Sequence, residues 1–249
     1  MMTSVEKLYQ AYKTNSPLPL GLVEAKTKEE AYAVQDAVLA LKEADGEVLK
    51  GYKISLTSQK TQDLFASDSP LYGGMTDVTV KSTYSLSQYN QPLLELELVF
   101  LTDEELLPTD SLEELMAKCR VAPGLEVPDA RYADWFPHTS LYEVIADGAV
   151  NGGVAYGKAQ KLTLEDIADI SGQLFFNGDL VTEGRSTEVL GHPINSLKWL
   201  VDTLDQHGKT LPAGMFVSSG TFVMPVKLEV GTYKAVYDTV GEVELTVTE

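Results

Sequence analysis

The sequence predicts an α+β fold whose second half is mainly β. Three observations carry this: helical periodicity up to residue 46, period-two alternation from Glu47, and short strand-like segments between glycine-containing turns from Gly152 onward. In the first part, Thr27 followed by Glu30 is a capping-box signature. Ala31, Val34, Val38 and Leu41 then form an apolar stripe at helical spacing, and Gly46 marks the stop.

Beyond Glu47, Val48, Tyr52, Ile54 and Leu56 share one face of an extended segment, with Gly51, Lys53 and Ser55 on the other. LLELELVFL, Leu93 to Leu101, reads as a second strand. A short helix with Asp110 as N-cap and Glu113 at N3 follows, and the lone cysteine, Cys119, ends its apolar stretch LEELMAKC as a packing residue. Ser140 with Glu143 opens another helix. Pro193 starts a third, with Ile194, Leu197, Leu200, Val201 and Leu204 as its buried stripe and Gly208 as its end. GGVAYG, GQLFFNGDLV, GMFVSSGTF, VKLEVG, YKAVYD and EVELTV read as short strands. No repeat or linker divides the chain. One domain over 1–249 is expected, with a helical part (1–46) and a strand-rich body (47–249).

The net charge of −18 argues against nucleic acid and anionic membranes as partners, since both are bound by clusters of Lys and Arg. No apolar run approaches the ~20 residues of a membrane span. MMTSVEKLYQAYK lacks the basic and apolar regions of a signal peptide, and a single cysteine suits a reducing compartment, so a cytoplasmic location is expected.

Chemistry points to carboxylates. Alternation puts Glu95 and Glu97 on the same face of their strand, opposite Leu94, Leu96, Leu98 and Phe100. One reading is an amphipathic strand with a solvated face. The other begins from Leu93, Val99 and Leu101, which share the glutamates' face and make it too apolar to be wet. Two carboxylates there need a counter-charge, and a divalent cation supplies it. Glu126, between Leu125 and Val127 in an extended, proline-flanked segment, is available as a third ligand. Three carboxylates and water form a hard oxygen set suited to Mg²⁺ or Mn²⁺. His138, His192 and His207 show no ligand spacing, and the P-loop, G-x-G-x-x-G, G-x-S-x-G, H-E-x-x-H and C-x-x-C motifs are absent.

GYKISLTSQKTQDLF, PLYGGMTD, LLELELVF, PGLEVPDARYADW, VIADGAVNGG and GMFVSSGT occur here in one order. In that order and spacing they resemble the 2-oxopent-4-enoate hydratase and 4-oxalocrotonate decarboxylase family of the fumarylacetoacetate hydrolase superfamily. The resemblance runs from about Leu49 to the C-terminus. It implies a mixed β-roll with peripheral helices, a homo-oligomer, and a small 2-oxo acid substrate. It also implies that Glu95, Glu97 and Glu126 hold the metal and that Lys53 acts in catalysis. Asp129 and Arg131 would orient the Glu126 segment, and Ser219, Gly220 and Thr221 would lie near the substrate carboxylate. Two departures stand out. Leu71 occupies the place of a family aspartate in Pro-Asp-aromatic-Gly, and Asp147-Gly148-Ala149-Val150-Asn151-Gly152 replaces Asp-Asn-Ala-Ser-Ser-Gly, with Asn151 in place of a serine hydroxyl. Leu71 and Asn151 are therefore expected at the substrate.

The implied activity is a metal-dependent lyase, of hydratase or decarboxylase type, on a 2-hydroxydienoate or related 2-oxo acid in aromatic catabolism. The metal acts as a Lewis acid on the enolate formed by proton movement. An acylpyruvate-type C–C bond hydrolase and a non-catalytic metal- and oxo-acid-binding protein are the competing readings.

Overall fold

In the computed structural model, which describes residues 2–249, the helices come first. α1 (Ser4–Thr14) starts with a complete capping box between Thr3 and Glu6. α2 (Lys28–Ala44) is capped by the Thr27 hydroxyl, but Glu30 accepts from the Lys26 amide and not from Thr27, so the expected box is half made. Its buried face is rotated from the expected stripe. Ala31, Tyr32, Gln35 and Lys42 are buried, whereas Val34, Val38 and Leu41 are only partly so. Gln35 takes a core position because its amide donates to the carbonyls of Tyr72 and Ile145, which would otherwise lack those partners.

β1 (Leu49–Ser55), α3 (Gln59–Leu64), β2 (Leu71–Thr76), β3 (Thr83–Ser85) and β4 (Leu93–Thr102) follow. α4 (Leu112–Ala117) is capped by Ser111 with Glu114, one residue later than expected; Asp110 instead accepts from the Leu107 amide and pairs with Lys118. Cys119 does not end that helix. It opens β5 (Cys119–Pro128), fully buried, with its thiol pushed up to about 12 by burial. α5 (Leu141–Ala146) has the expected Ser140–Glu143 box. β6 (Asn151–Tyr156), α6 (Leu164–Ile167), and the hairpin of β7 (Ser171–Phe176) and β8 (Asp179–Arg185) come next, the hairpin turning through Asn177 and Gly178 at positive φ. α7 (Pro193–Gln206) buries the expected stripe. β9 (Phe216–Ser218), β10 (Val226–Lys227), β11 (Gly231–Tyr237) and β12 (Gly241–Thr248) complete the chain.

Two sheets result. One runs β2-β1-β9-β4-β5-β6, with β10 also on β4; the other runs β3-β12-β11-β7-β8. The short β9 lies parallel to β1 and antiparallel to β4, which sets Lys53 beside Ser218 and Ser218 beside Val99. Both faces of this sheet are covered. Leu94, Leu96, Leu98 and Phe100 enter the main core, while Val99 joins Met75, Ala122, Val154 and Phe216 in a smaller cluster on the glutamates' face. Among the described residues, no helix is long and apolar enough to cross a membrane.

Candidate metal centre

Alternation along β4 and the β4–β5 register build the centre. Glu95 and Glu97 share a face, and Glu95 stands directly opposite Glu126 across the antiparallel ladder. The solvated-face reading fails on burial: Glu95 is 9% exposed, Glu97 1% and Glu126 0%. One oxygen from each carboxylate lies within 4.8 Å of the others. Lys53 reaches the cluster from β1, its Nζ 2.7 Å from Glu126 Oε2, and is itself buried. Glu97 Oε2 accepts from the Ser218 hydroxyl and from the Gly220 amide at 3.0 Å. Behind it, the Tyr237 hydroxyl accepts from the Glu97 amide at 2.9 Å and donates to the Gly124 carbonyl at 2.6 Å, bridging β4 and β5 from the second sheet.

The charges do not balance internally. Burial first, then Glu126, pushes the Glu97 carboxyl up to about 8, with Lys53 opposing. Burial and Glu126 raise Glu95 well above the usual carboxylate range. Burial alone would lower the Lys53 ammonium, but Glu126, Glu95 and Glu97 outweigh it and the net direction is upward. With all three carboxylates ionised against one ammonium, two negative charges would remain; the raised Glu95 and Glu97 carboxyls instead favour their protonated forms, and a divalent cation would replace those protons. Glu126 Oε1 is buried without a hydrogen-bond partner. This all-oxygen set, with an orphaned acceptor, fits Mg²⁺ or a similar hard cation and not zinc.

A cavity opens over Lys53, Glu95 and Glu97, with apolar walls that include Phe65, Trp135, Phe136 and Met224. Thr221 lines it. Ser219 does not; its hydroxyl accepts from the Leu98 amide and it is fully buried. Leu71 shares a sheet face with Lys53 through the β1–β2 register but is completely buried and does not line the cavity. Tyr72 points the other way, hydrogen-bonded to His207, so it does not stand in for the missing aspartate. Asn151 is also displaced from the expected position, donating to the Gly74 and Gly148 carbonyls, while Val150 takes the wall position.

Asp129 accepts from the amides of Asn90 and Gln91, tying the end of β5 to the approach to β4; burial pushes its carboxyl up to about 6 against those amides. Arg131 pairs with Asp147 and donates to the carbonyls of Asp147 and Asn151. It therefore braces the turn in which Ala149 and Val150 both adopt φ of 52°. A β-branched residue at such a φ is strained by roughly 1–3 kcal/mol, so the turn needs this bracing.

No protein-family model matches the chain. The 2-oxo-hept-4-ene-1,7-dioate hydratase of Escherichia coli is 33% identical over 87% of this chain and 85% of its own. The 2-hydroxyhexa-2,4-dienoate hydratase of Comamonas testosteroni is 30% identical over 99% and 97%. The chain belongs to the 2-oxopent-4-enoate hydratase and 4-oxalocrotonate decarboxylase family. The 4-oxalocrotonate decarboxylase of Pseudomonas putida G7, solved with magnesium and adipate, superposes with a TM-score of 0.88 at 26% identity, covering 98% of this chain and 95% of that one. The fold is thus the fumarylacetoacetate-hydrolase-like mixed β-roll expected from the sequence.

Sequence reasoning missed several residues of this family member's site. Ser218 and Tyr237 hold Glu97 and its strand and carried no expectation, whereas Gly220, expected near the substrate carboxylate, donates to Glu97 instead. Alternation along VSSGT separates Ser218 from Ser219, yet which serine meets Glu97 depends on β9 lying between β1 and β4. The aromatic wall carried no local signal.

Proposed function

We propose that this chain is a divalent-metal-dependent lyase of the 2-keto-4-pentenoate hydratase type, acting on a 2-hydroxydienoate or the related 2-oxo acid. The observation that carries the reading is the buried cluster of Glu95, Glu97 and Glu126 with Lys53 at the floor of a largely apolar cavity. The three glutamates would hold Mg²⁺ or Mn²⁺, which when bound supplies Lewis-acid stabilisation of the substrate's developing enolate.

The protein's own contribution is positional and protonic. Glu97 is held by Ser218 and Gly220, and Asp129 and Arg131 brace the elements on either side of Glu126. Thr221 lines the cavity in the turn shaped by Ser219; its hydroxyl donates to the Val223 carbonyl at 2.8 Å, so a substrate carboxylate would have to take that donor from Val223. The apolar walls exclude water from the reacting carbons except where a nucleophilic water is admitted. Apart from Glu95 and Glu97, Lys53 is the one cavity-lining residue among those described that carries an ionisable amine, carboxyl or imidazole, so it moves the proton at the substrate. Leu71 and Asn151 act at one remove, by shaping the sheet and the turn behind the wall.

The same scarcity of acid–base groups, together with the buried Leu71, favours a second reading: a protein that binds metal and oxo acid without turnover. An acylpyruvate-type hydrolase needs a carboxylate base outside the cluster, and none lines the cavity among the described residues. We further propose a single catalytic domain over 1–249, a homo-oligomer, a cytoplasmic location and a role in aromatic catabolism.

The deciding experiment adds 2-hydroxypenta-2,4-dienoate to metal-free protein and follows loss of its ultraviolet absorbance with and without Mg²⁺. Metal-dependent loss, absent in Glu97→Ala, supports the lyase. Tight Mg²⁺ binding with no loss of any dienoate supports the binding protein.

A further inference from the structure

Resting on the lyase reading above, we infer that this chain takes monocarboxylic substrates with a short apolar tail and rejects those carrying a second carboxylate at the far end. The named relatives do not choose between these classes, since one is a hydratase of a heptene-dioate and another of a hexadienoate. The cavity does. A 2-oxo acid whose carboxylate and 2-oxygen face the glutamate cluster must direct its remaining carbons along the walls. Those walls are Phe65, Trp135, Phe136, Val144, Val150 and Met224. The other polar lining groups, Ser55, Thr61 and Thr221, are neutral hydroxyls.

Among the described residues, Lys53 is the one cation that lines the cavity, and it is engaged with Glu126 at 2.7 Å. A distal carboxylate would therefore be desolvated against aromatic and aliphatic surface with no counter-charge, which strongly disfavours its binding. The nearest alternative is a separate surface groove that shares Thr61, Thr221 and Met224 with the cavity and contains Lys60 and Arg185. Arg185 is paired with Asp169, and Glu183 and Glu188 line the same groove, so it offers no net positive charge to a tail that reached it. The chain's overall charge of −18 adds to the discrimination, because a dianion is repelled more than a monoanion.

The test compares 2-oxohexanoate with 2-oxoheptanedioate by calorimetry on Mg²⁺-loaded protein, beside turnover of 2-hydroxyhexa-2,4-dienoate and 2-oxohept-4-ene-1,7-dioate. The monoacid is expected to bind at least about 10-fold more tightly, and the hexadienoate to show kcat/KM on the order of 100-fold higher. Met224→Arg, at a partly exposed position on the rim, is expected to narrow the binding gap at least about 10-fold by supplying the missing counter-charge. Equal or tighter binding of the diacid by the wild type overturns the inference, as does a diacid turned over as fast as the hexadienoate, and the lyase reading survives both results. Monoacid-selective binding with no turnover of either dienoate upholds the selectivity and removes the lyase.

Discussion

Glu97 receives a hydroxyl from β9, an amide from the turn after it, and through its own amide a tyrosine from the other sheet. Replacing it with alanine removes one of three ligands and leaves the Ser218 hydroxyl and the Gly220 amide unpaired, so Glu97→Ala should lose measurable Mg²⁺ binding by calorimetry. Lys53 is different. Removing its ammonium makes the cluster more negative, so Lys53→Met should bind Mg²⁺ at least as well as wild type while turnover falls roughly 10²–10⁴-fold. A matched loss of both would make Lys53 structural. A third residue, Lys42, lies away from the centre and is buried over the Tyr12 ring. Burial, then Arg131, lowers its ammonium to about 8 from 10.5. Between those values the unfolded chain binds more protons than the folded one, so this group's contribution to stability rises with pH across that window. Below it the folded protein bears a disfavoured charge, and Lys42→Met should raise stability at pH 7 by up to about 3 kcal/mol. The advantage should shrink as pH climbs towards 10.5, as followed by urea denaturation.

At the scale of elements, β11 acts on the centre without touching the cavity. The Tyr237 hydroxyl occupies the gap between the Glu97 amide and the Gly124 carbonyl, so Tyr237→Phe leaves two buried backbone groups unpaired. The expected cost is roughly 1–3 kcal/mol in stability, with weaker Mg²⁺ binding as the sign that Glu97 has shifted. The turn after β9 is equally constrained. Gly220 sits at φ 108°, and a Cβ there would lie 2.3 Å from Thr57 Oγ1. Gly220→Ala should therefore disturb the amide that Glu97 accepts from, and should do so more than any substitution at the exposed Gly178. The strands and caps that frame these contacts were legible beforehand. Ser140–Glu143 and the α7 stripe follow from local chemistry, whereas GQLFFNGDLV, expected as one strand, is split by the Asn177–Gly178 turn into β7 and β8. The rotation of α2 and the one-residue shift of the α4 cap were not legible: Gln35 is placed by carbonyls from a distant strand and helix, and Asp110 by the Leu107 amide and by Lys118 at the far end of the same helix.

For the whole molecule, a metal that binds only the folded centre must stabilise it. At 100 times its dissociation constant Mg²⁺ should add about 2.7 kcal/mol. That corresponds to a rise in Tm of roughly 5–10 °C for a chain of this size, reversed by chelator and absent in Glu97→Ala. A Tm indifferent to Mg²⁺ would mean that the glutamates are held by Lys53 and their hydrogen bonds alone.

The sequence by itself determined that Glu95 and Glu97 share a face, that Lys53 turns away from the bulky side of its strand, and that the chain changes from helical to strand periodicity near Glu47. These are properties of one element at a time, and periods of 3.6 and 2 report them directly. Tertiary structure alone decided that Glu126 stands opposite Glu95, that Lys53 is buried against it, that Ser218 and not Ser219 reaches Glu97, and that Val150 replaces Asn151 on the wall. A strand's pattern says which side chains point together. What covers them is set by register, strand order and the packing of distant loops, none of which leaves a local period.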